Sequence, residues 1–412
     1  MKKQNNLLKT ARIERCWTPE FVSSKVGVSL YTYIRWEAGK QRPCHSSLVA
    51  LCHVFEMSAE DLGFAYSFDL RRGIPISEQI EEQSNKTDGV SLIAPDDPQV
   101  SAETLAQWAS GIAECWQKYM AGDQTELEYL VPTYLGGLSK PTLSPGPDQK
   151  TAAGLTSQVY QLIALLDLQR GDFAAAQTNG TQALVYSQLS KDWNIYVAAQ
   201  MRLATIFSAR KRVGSALSAY NDALRRVNAG IDSISPLLHS WIFAGLAEIQ
   251  ATMGREQEAL QFLKLAFLVF PPKPEDDACF AYTQYDLTML FLYEGMVFLR
   301  LGQPKHAWDA FARVDERKPT PPARLRTEFL KHRAYTSFVL GNMIQSCIYL
   351  EAAAKAAQAI SSDLVLSEIY MLYEHMLAMW GQEPRVRALA RLFQERIEQD
   401  YPLVSPDIKA PE

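Results

Sequence analysis

The sequence predicts an all-α protein in two parts: a small bundle of short, sharply capped helices, then a long stack of helix pairs. Three observations lead there. Helix start and stop signals crowd residues 17 to 43; from Ser101 onward apolar residues recur at helical spacing; and a small-residue pattern repeats along that second part.

The first element begins at Thr18, a hydroxyl N-cap, followed by Pro19, where a missing N–H costs nothing, and Glu20 in the positive first turn. Gly27 closes this short helix. Val28 and Ser29 form the turn, Ser29 caps a second helix that runs to Glu37, and Gly39 stops it. Two helices joined by a short Gly-containing turn make the helix-turn-helix unit, which lays its second helix in the DNA major groove. Leu48, Leu51, Cys52 and Phe55 place a further helix over the pair, and Ser58, Ala59, Glu60 and Asp61 read as the start of a last short one.

These residues resemble the Cro-type phage-repressor family over roughly positions 5 to 63. Val22, Ser23, Gly27, Val28 and Ser29 match its turn, and Trp36, Glu37, Gly39 and Pro43 match its closing motif. The resemblance implies a five-helix domain over residues 1–65. It also implies DNA contacts from Thr18, Ser29, Leu30, Tyr31, Thr32 and Arg35, with Lys40 and Arg42 beside them. Only Thr32 and Arg35 offer ordinary polar reading chemistry; Leu30 can meet a thymine methyl and Tyr31 a phosphate or base edge. Pro19 stands where the family often has a Gln that bonds the DNA backbone, which removes one phosphate contact. Leu30, Tyr31 and Ile34 make the face apolar enough to suit a protein partner instead.

Charge points to nucleic acid at this end. Nine basic residues (Lys2, Lys3, Lys9, Arg12, Arg15, Lys25, Arg35, Lys40, Arg42) face six acidic ones within positions 1–65, whereas the whole chain has 41 basic and 46 acidic residues. A basic head ahead of an acidic remainder suits a protein that touches phosphate only through the head. One head makes few phosphate contacts, so useful affinity calls for two heads on two half-sites and a homodimer.

At 412 residues the chain exceeds one such domain, and its 47% hydrophobic and 21% charged composition is that of a globular protein. No apolar run is long enough to span a membrane and the first residues lack a signal core, so a cytoplasmic protein without membrane contact is expected. Six scattered cysteines fit reduced thiols. Residues 66–100, polar and proline-bearing, read as a linker.

From residue 101 to 400 helix follows helix. The marker residues Ala176, Ala216, Ala259, Ala307 and Ser346 head successive copies, with Gly171, Gly254, Gly302 and Gly341 as turns and Pro271 and Pro319 as stops. Helices over Leu105–Met120 and Glu126–Leu138 precede them, followed by a loop at KPTLSPGPD. Helices over Leu364–Trp380 and Arg385–Ile397 follow, giving six or seven pairs, with residues 401–412 as a tail. The pattern resembles the tetratricopeptide repeat, which implies a right-handed solenoid whose concave groove, lined by the first helix of each pair, takes an extended peptide or a protein partner. Carrying its inward positions over places Gln158, Gln161, Met201, Trp241, Glu248, Met296, Arg300, Glu328, Lys331, Tyr335, Glu368 and His375 toward that groove. Aromatic stripes at this spacing serve equally as packing between repeats.

Enzyme signatures are missing: there is no phosphate loop, no paired-histidine zinc motif and no C-x-x-C, and Gly136 and Gly137 read as a plain loop. Neither catalysis nor a cofactor is expected. Cys44, His45, Cys52 and His53 lie close in sequence, but Cys52 falls on an apolar face, so no metal is assigned. Head plus solenoid is similar to bacterial peptide-sensing transcriptional regulators. That resemblance implies a dimeric DNA-binding regulator answering to a peptide; the alternative is a repeat scaffold that sequesters a partner without binding DNA.

Overall fold

A computed structural model describes residues 6–64 and 102–394, apart from Cys16, Arg42, Cys44, Glu56, 58–61, 229–233 and 316–319. The chain divides into two compact units, Met1–Ser101 with Asp172–Thr178, and the rest. Every regular element among the described residues is helical.

In the head, α1 (Asn6–Glu14), α2 (Pro19–Val26), α3 (Leu30–Glu37) and α4 (His45–Phe55) enclose Leu8, Val22, Tyr33, Trp36, Leu51 and Phe55. The caps are those the sequence specifies. Thr18 Oγ1 accepts from the Phe21 amide at 3.2 Å, Gly27 ends α2 at φ 78°, and Ser29 Oγ accepts from the Thr32 amide at 3.0 Å. Residues 58–61, expected to start the fifth helix, lie outside the described residues.

The second unit stacks helix pairs, each an A helix followed by a B helix. They are α5 (Ala102–Ala121) with α6 (Gln124–Leu143), α7 (Gln149–Gln169) with α8 (Phe173–Ser190), and α9 (Trp193–Ala209) with α10 (Val213–Asn228). Then come α11 (Pro236–Thr252) with α12 (Glu256–Val269), α14 (Leu287–Arg300) with α15 (Pro304–Asp315), and α16 (Ala323–Val339) with α17 (Met343–Ala359). The last, α18 (Asp363–Trp380), precedes the short α19 (Pro384–Arg387) and a 3-10 turn to Phe393. All five marker residues are fully buried where the helices of a pair meet. The A–B turns are left-handed at Gly171, Gly254, Gly302 and Gly341, and Lys211 takes the same conformation at φ 58°. Between α12 and α14 a 3-10 turn and α13 (Phe280–Thr283) are inserted, which accounts for the longest step between markers.

Two expectations change. The predicted loop at KPTLSPGPD is shortened: α6 continues through Gly136, Gly137 and Pro141 to Leu143, and the loop runs from Ser144 to Asp148. Buried Thr142 holds that end, its hydroxyl bonded to Thr156 at 2.8 Å and its carbonyl accepting from the Gln149 side-chain amide at 3.2 Å. The final helix is a single turn of α-helix before the 3-10 segment, pinned by Val386, Leu389 and Phe393 against Tyr370 and Tyr373.

The A helices form one row through α7, α9, α11, α14, α16 and α18, and that row closes on itself. α18 returns to α7, and α5 lies against α7, α13 and α16. Ser362 Oγ donates to Gln169 Oε1 at 2.6 Å, and Arg324 Nε to the Tyr119 carbonyl at 2.8 Å, so the first pairs are tied to the last. The inner face is thus covered along α7, α9 and α11, where Gln161, Met201 and Trp241 are buried, while Arg300, Tyr335 and His375 stay exposed.

Candidate nucleic-acid interface and repeat inner face

Helix α3 of the head turns Tyr33 and Trp36 into the core and leaves Leu30 (36% exposed), Tyr31 (51%) and Ile34 (46%) in solvent. At its start the Ser29 and Thr32 hydroxyls bond each other at 2.7 Å. One turn on, Arg35 Nη1 donates to the Tyr31 hydroxyl at 3.0 Å, with the guanidinium over the Tyr31 ring. Lys40 is exposed just past the helix; Arg42 lies outside the described residues.

Two head cations are used internally. Arg12 Nε meets Glu37 at 2.6 Å and its Nη1 donates to the Trp17 carbonyl at 2.8 Å, which joins α1 to α3. The Glu37 hydrogen bond raises the guanidinium's pKa. Arg15 donates to the Phe55 carbonyl at 2.7 Å and stacks on Trp17 and Phe55. Among the described residues of the head, Lys9, Lys25 and Lys40 are exposed and Arg35 is half-buried.

On the repeat inner face the sequence-chosen residues sort into three sets. Glu248, Arg300, Glu328, Lys331 and Glu368 are electrostatically joined. Lys331 Nζ sits 2.6 Å from Glu328 and 2.5 Å from Glu368. Burial alone would lower the lysine's pKa, but its two carboxylates outweigh that and raise it. Glu248 is pushed up by burial against the opposing pull of Arg300 and Lys331. Beside them His332 stacks on Phe311, and burial together with Lys331 and Arg300 drives its pKa well below 6.5. Glu328 lies 3.8 Å from His332 Nε2 but is already engaged by Lys331, so the imidazole is neutral.

Tyr335 (42% exposed) and His375 form the second set, both in ring contact with Phe338. The third set is withdrawn from solvent. Gln161 is fully buried with its amide toward Ser157 Oγ at 3.4 Å, and Met201 is also buried; Gln158 is half-buried. Trp241 is only 4% exposed, stacked on Tyr285 and donating to the Tyr293 hydroxyl at 3.1 Å. Gln161, Met201 and Trp241 therefore pack between repeats rather than face an open groove, because the row of A helices closes over them.

Sequence reasoning missed the most unusual group in this unit. Arg202, mid-way along apolar α9, lies between the rings of Trp116 (4.9 Å) and Trp241 (4.6 Å). Its Nη2 donates to the carbonyls of Tyr282 and Thr283, each at 3.3 Å. Burial pushes its pKa down to about 10, opposed only by Tyr119 and Tyr293. Arg324, buried at 5% exposure, lies over the Tyr119 ring at 4.1 Å. A charged residue inside an otherwise apolar helical run is the signal that would have found Arg202.

The fold defines the class: an all-α protein with a helix-turn-helix head and a tetratricopeptide-like repeat unit. No protein-family model matches the chain, and no curated protein matches it. Among solved structures it is similar to the crystal structure of Bacillus thuringiensis PlcR in complex with the peptide PapR7 and DNA, at 14% identity and a TM-score of 0.37. That match covers 82% of this chain and 99% of that one.

Proposed function

We propose that the protein is a DNA-binding transcriptional regulator whose α3 helix reads the major groove and whose repeat unit takes a peptide or protein ligand and pairs two heads. The solvent-facing side of α3 carries this reading. It presents a capped N-terminus, Thr32, Tyr31 and Arg35 on a helix whose other side is locked into the core by Tyr33, Trp36 and the Arg12–Glu37 pair. With Arg12 and Arg15 engaged internally, the described part of one head has few cations for phosphate. Affinity then depends on a homodimer engaging two half-sites.

Gel shifts with selected genomic fragments test it. Binding should weaken steeply with salt, and Arg35→Ala should cost about 1–3 kcal/mol and relax preference at one or two base pairs, with circular dichroism unchanged. A second reading, a scaffold that uses α3 for a protein partner, draws on the exposure of Leu30, Tyr31 and Ile34. Absence of any salt-dependent DNA binding by the full chain would replace the first reading with the second.

A further inference from the structure

Four buried hydrogen-bond donors around the end of α5 have no partner among the described residues: Trp116 Nε1, Arg202 Nε, and Nη1 and Nη2 of Arg324. They come from three helices far apart in sequence, α5, α9 and α16, and converge because the row of A helices closes. The rings of Trp116 and Tyr119 meet edge to face at 6.3 Å, with Arg202 against the first and Arg324 over the second. All four atoms are N–H donors and none is an acceptor. Neither guanidinium has a carboxylate within ion-pair distance among the described residues, unlike Lys331 on the same inner face. A π face and backbone carbonyls offset only part of the desolvation of a cation. The missing complement is an acceptor-rich group of negative charge.

We infer that Trp116, Arg202 and Arg324 form a receptor for an oxyanion, the carboxylate of a peptide or a phosphate, on the inner face of the repeat unit. The inference deepens the proposed ligand-sensing role and rests on it in taking this unit as the receptor. A carboxylate or phosphate is planar or tetrahedral with several lone pairs, so one group can accept from a guanidinium edge and the indole N–H together. The aromatic rings around it suit an apolar neighbour of that group.

The full-length protein is titrated calorimetrically at constant ionic strength with three probes: N-acetylphenylalanine as the free acid, its carboxamide, and inorganic phosphate. Melting temperature is recorded alongside. The expected result is saturable binding of the acid or of phosphate with a rise in melting temperature, and none with the carboxamide. Which of the two anions binds assigns the source of the oxyanion. Arg202→Gln should lower the affinity at least tenfold without lowering the melting point of the unliganded protein, since it removes a buried charge. Trp116→Phe, which keeps the ring and deletes only the N–H, should weaken binding several-fold and guards against a misfolded arginine variant; Arg225→Gln, on exposed α10 surface, should leave binding unchanged. No saturable binding of either anion, or binding that survives both Arg202→Gln and Trp116→Phe, overturns the inference. DNA binding by the same preparation in gel shifts would leave the regulator reading standing in either case.

Discussion

Trp241 and Tyr335 both lie on A helices, α11 and α16, at positions expected to face inward, and they hold opposite places in the protein. The first is stacked, hydrogen-bonded and in cation–π contact with Arg202; the second is 42% exposed and touches only the Phe338 ring among the aromatic side chains described. Trp241→Ala should therefore cost about 3–5 kcal/mol in a thermal or denaturant melt, as a large core ring replaced by a cavity. Tyr335→Ala should stay within about 0.5 kcal/mol. Equal and large losses at both sites would show that Tyr335 is packed in solution. The distinction was not legible in the sequence, since both residues sit at A-helix positions and only the return of α18 and α5 decides which is covered.

At the level of elements, the repeat works by letting one helix approach another where a side chain is missing. Gly295 on α14 lies against the Phe311 ring of α15, and Gly245 on α11 against the Tyr220 ring of α10, with no room for a methyl group at either. Gly295→Ala should destabilise by about 1–3 kcal/mol, because fully buried Phe311 is itself held between Phe329 and His332. The A–B turn of α9 and α10 offers the converse. Lys211 holds a left-handed conformation that its Cβ disfavours, so Lys211→Gly should stabilise by about 1 kcal/mol. A lower melting point for that variant would mean the lysine side chain makes a compensating contact. The turns at Gly171, Gly254, Gly302 and Gly341 were readable because glycine announces them; the turn at Lys211 was not.

For the whole molecule, the covered inner face predicts a pH response. His332 and His239 have pKa values depressed by burial, so their contribution to stability is present above the unfolded value near 6.5 and is lost as pH falls toward their folded values. Glu248 acts in the opposite sense and a lower window. Its raised pKa favours the fold below about 4.5, and that contribution fades as pH rises through its folded value. The melting temperature should drop between about pH 7.5 and about 5.5, and His332→Gln should flatten that drop. An unchanged slope in the variant would show that His332 does not carry the pH dependence of stability.

By itself the sequence determined the caps of α2 and α3, the turn between them and the succession of helix pairs. Each rests on residues within a few positions of one another: a hydroxyl before a proline, a glycine at positive φ, a small residue opposite a large one. Only the tertiary structure decided that the inner face is covered, that Trp241 and Gln161 are interior, and that Trp116, Arg202 and Arg324 gather. Those facts depend on how the curvature of successive pairs accumulates until α18 meets α7 and α5 meets α16. No local pattern encodes that sum. The same holds in the head, where Arg12 and Arg15 count as positive charge in the sequence but are bound in the structure to Glu37, Trp17 and Phe55.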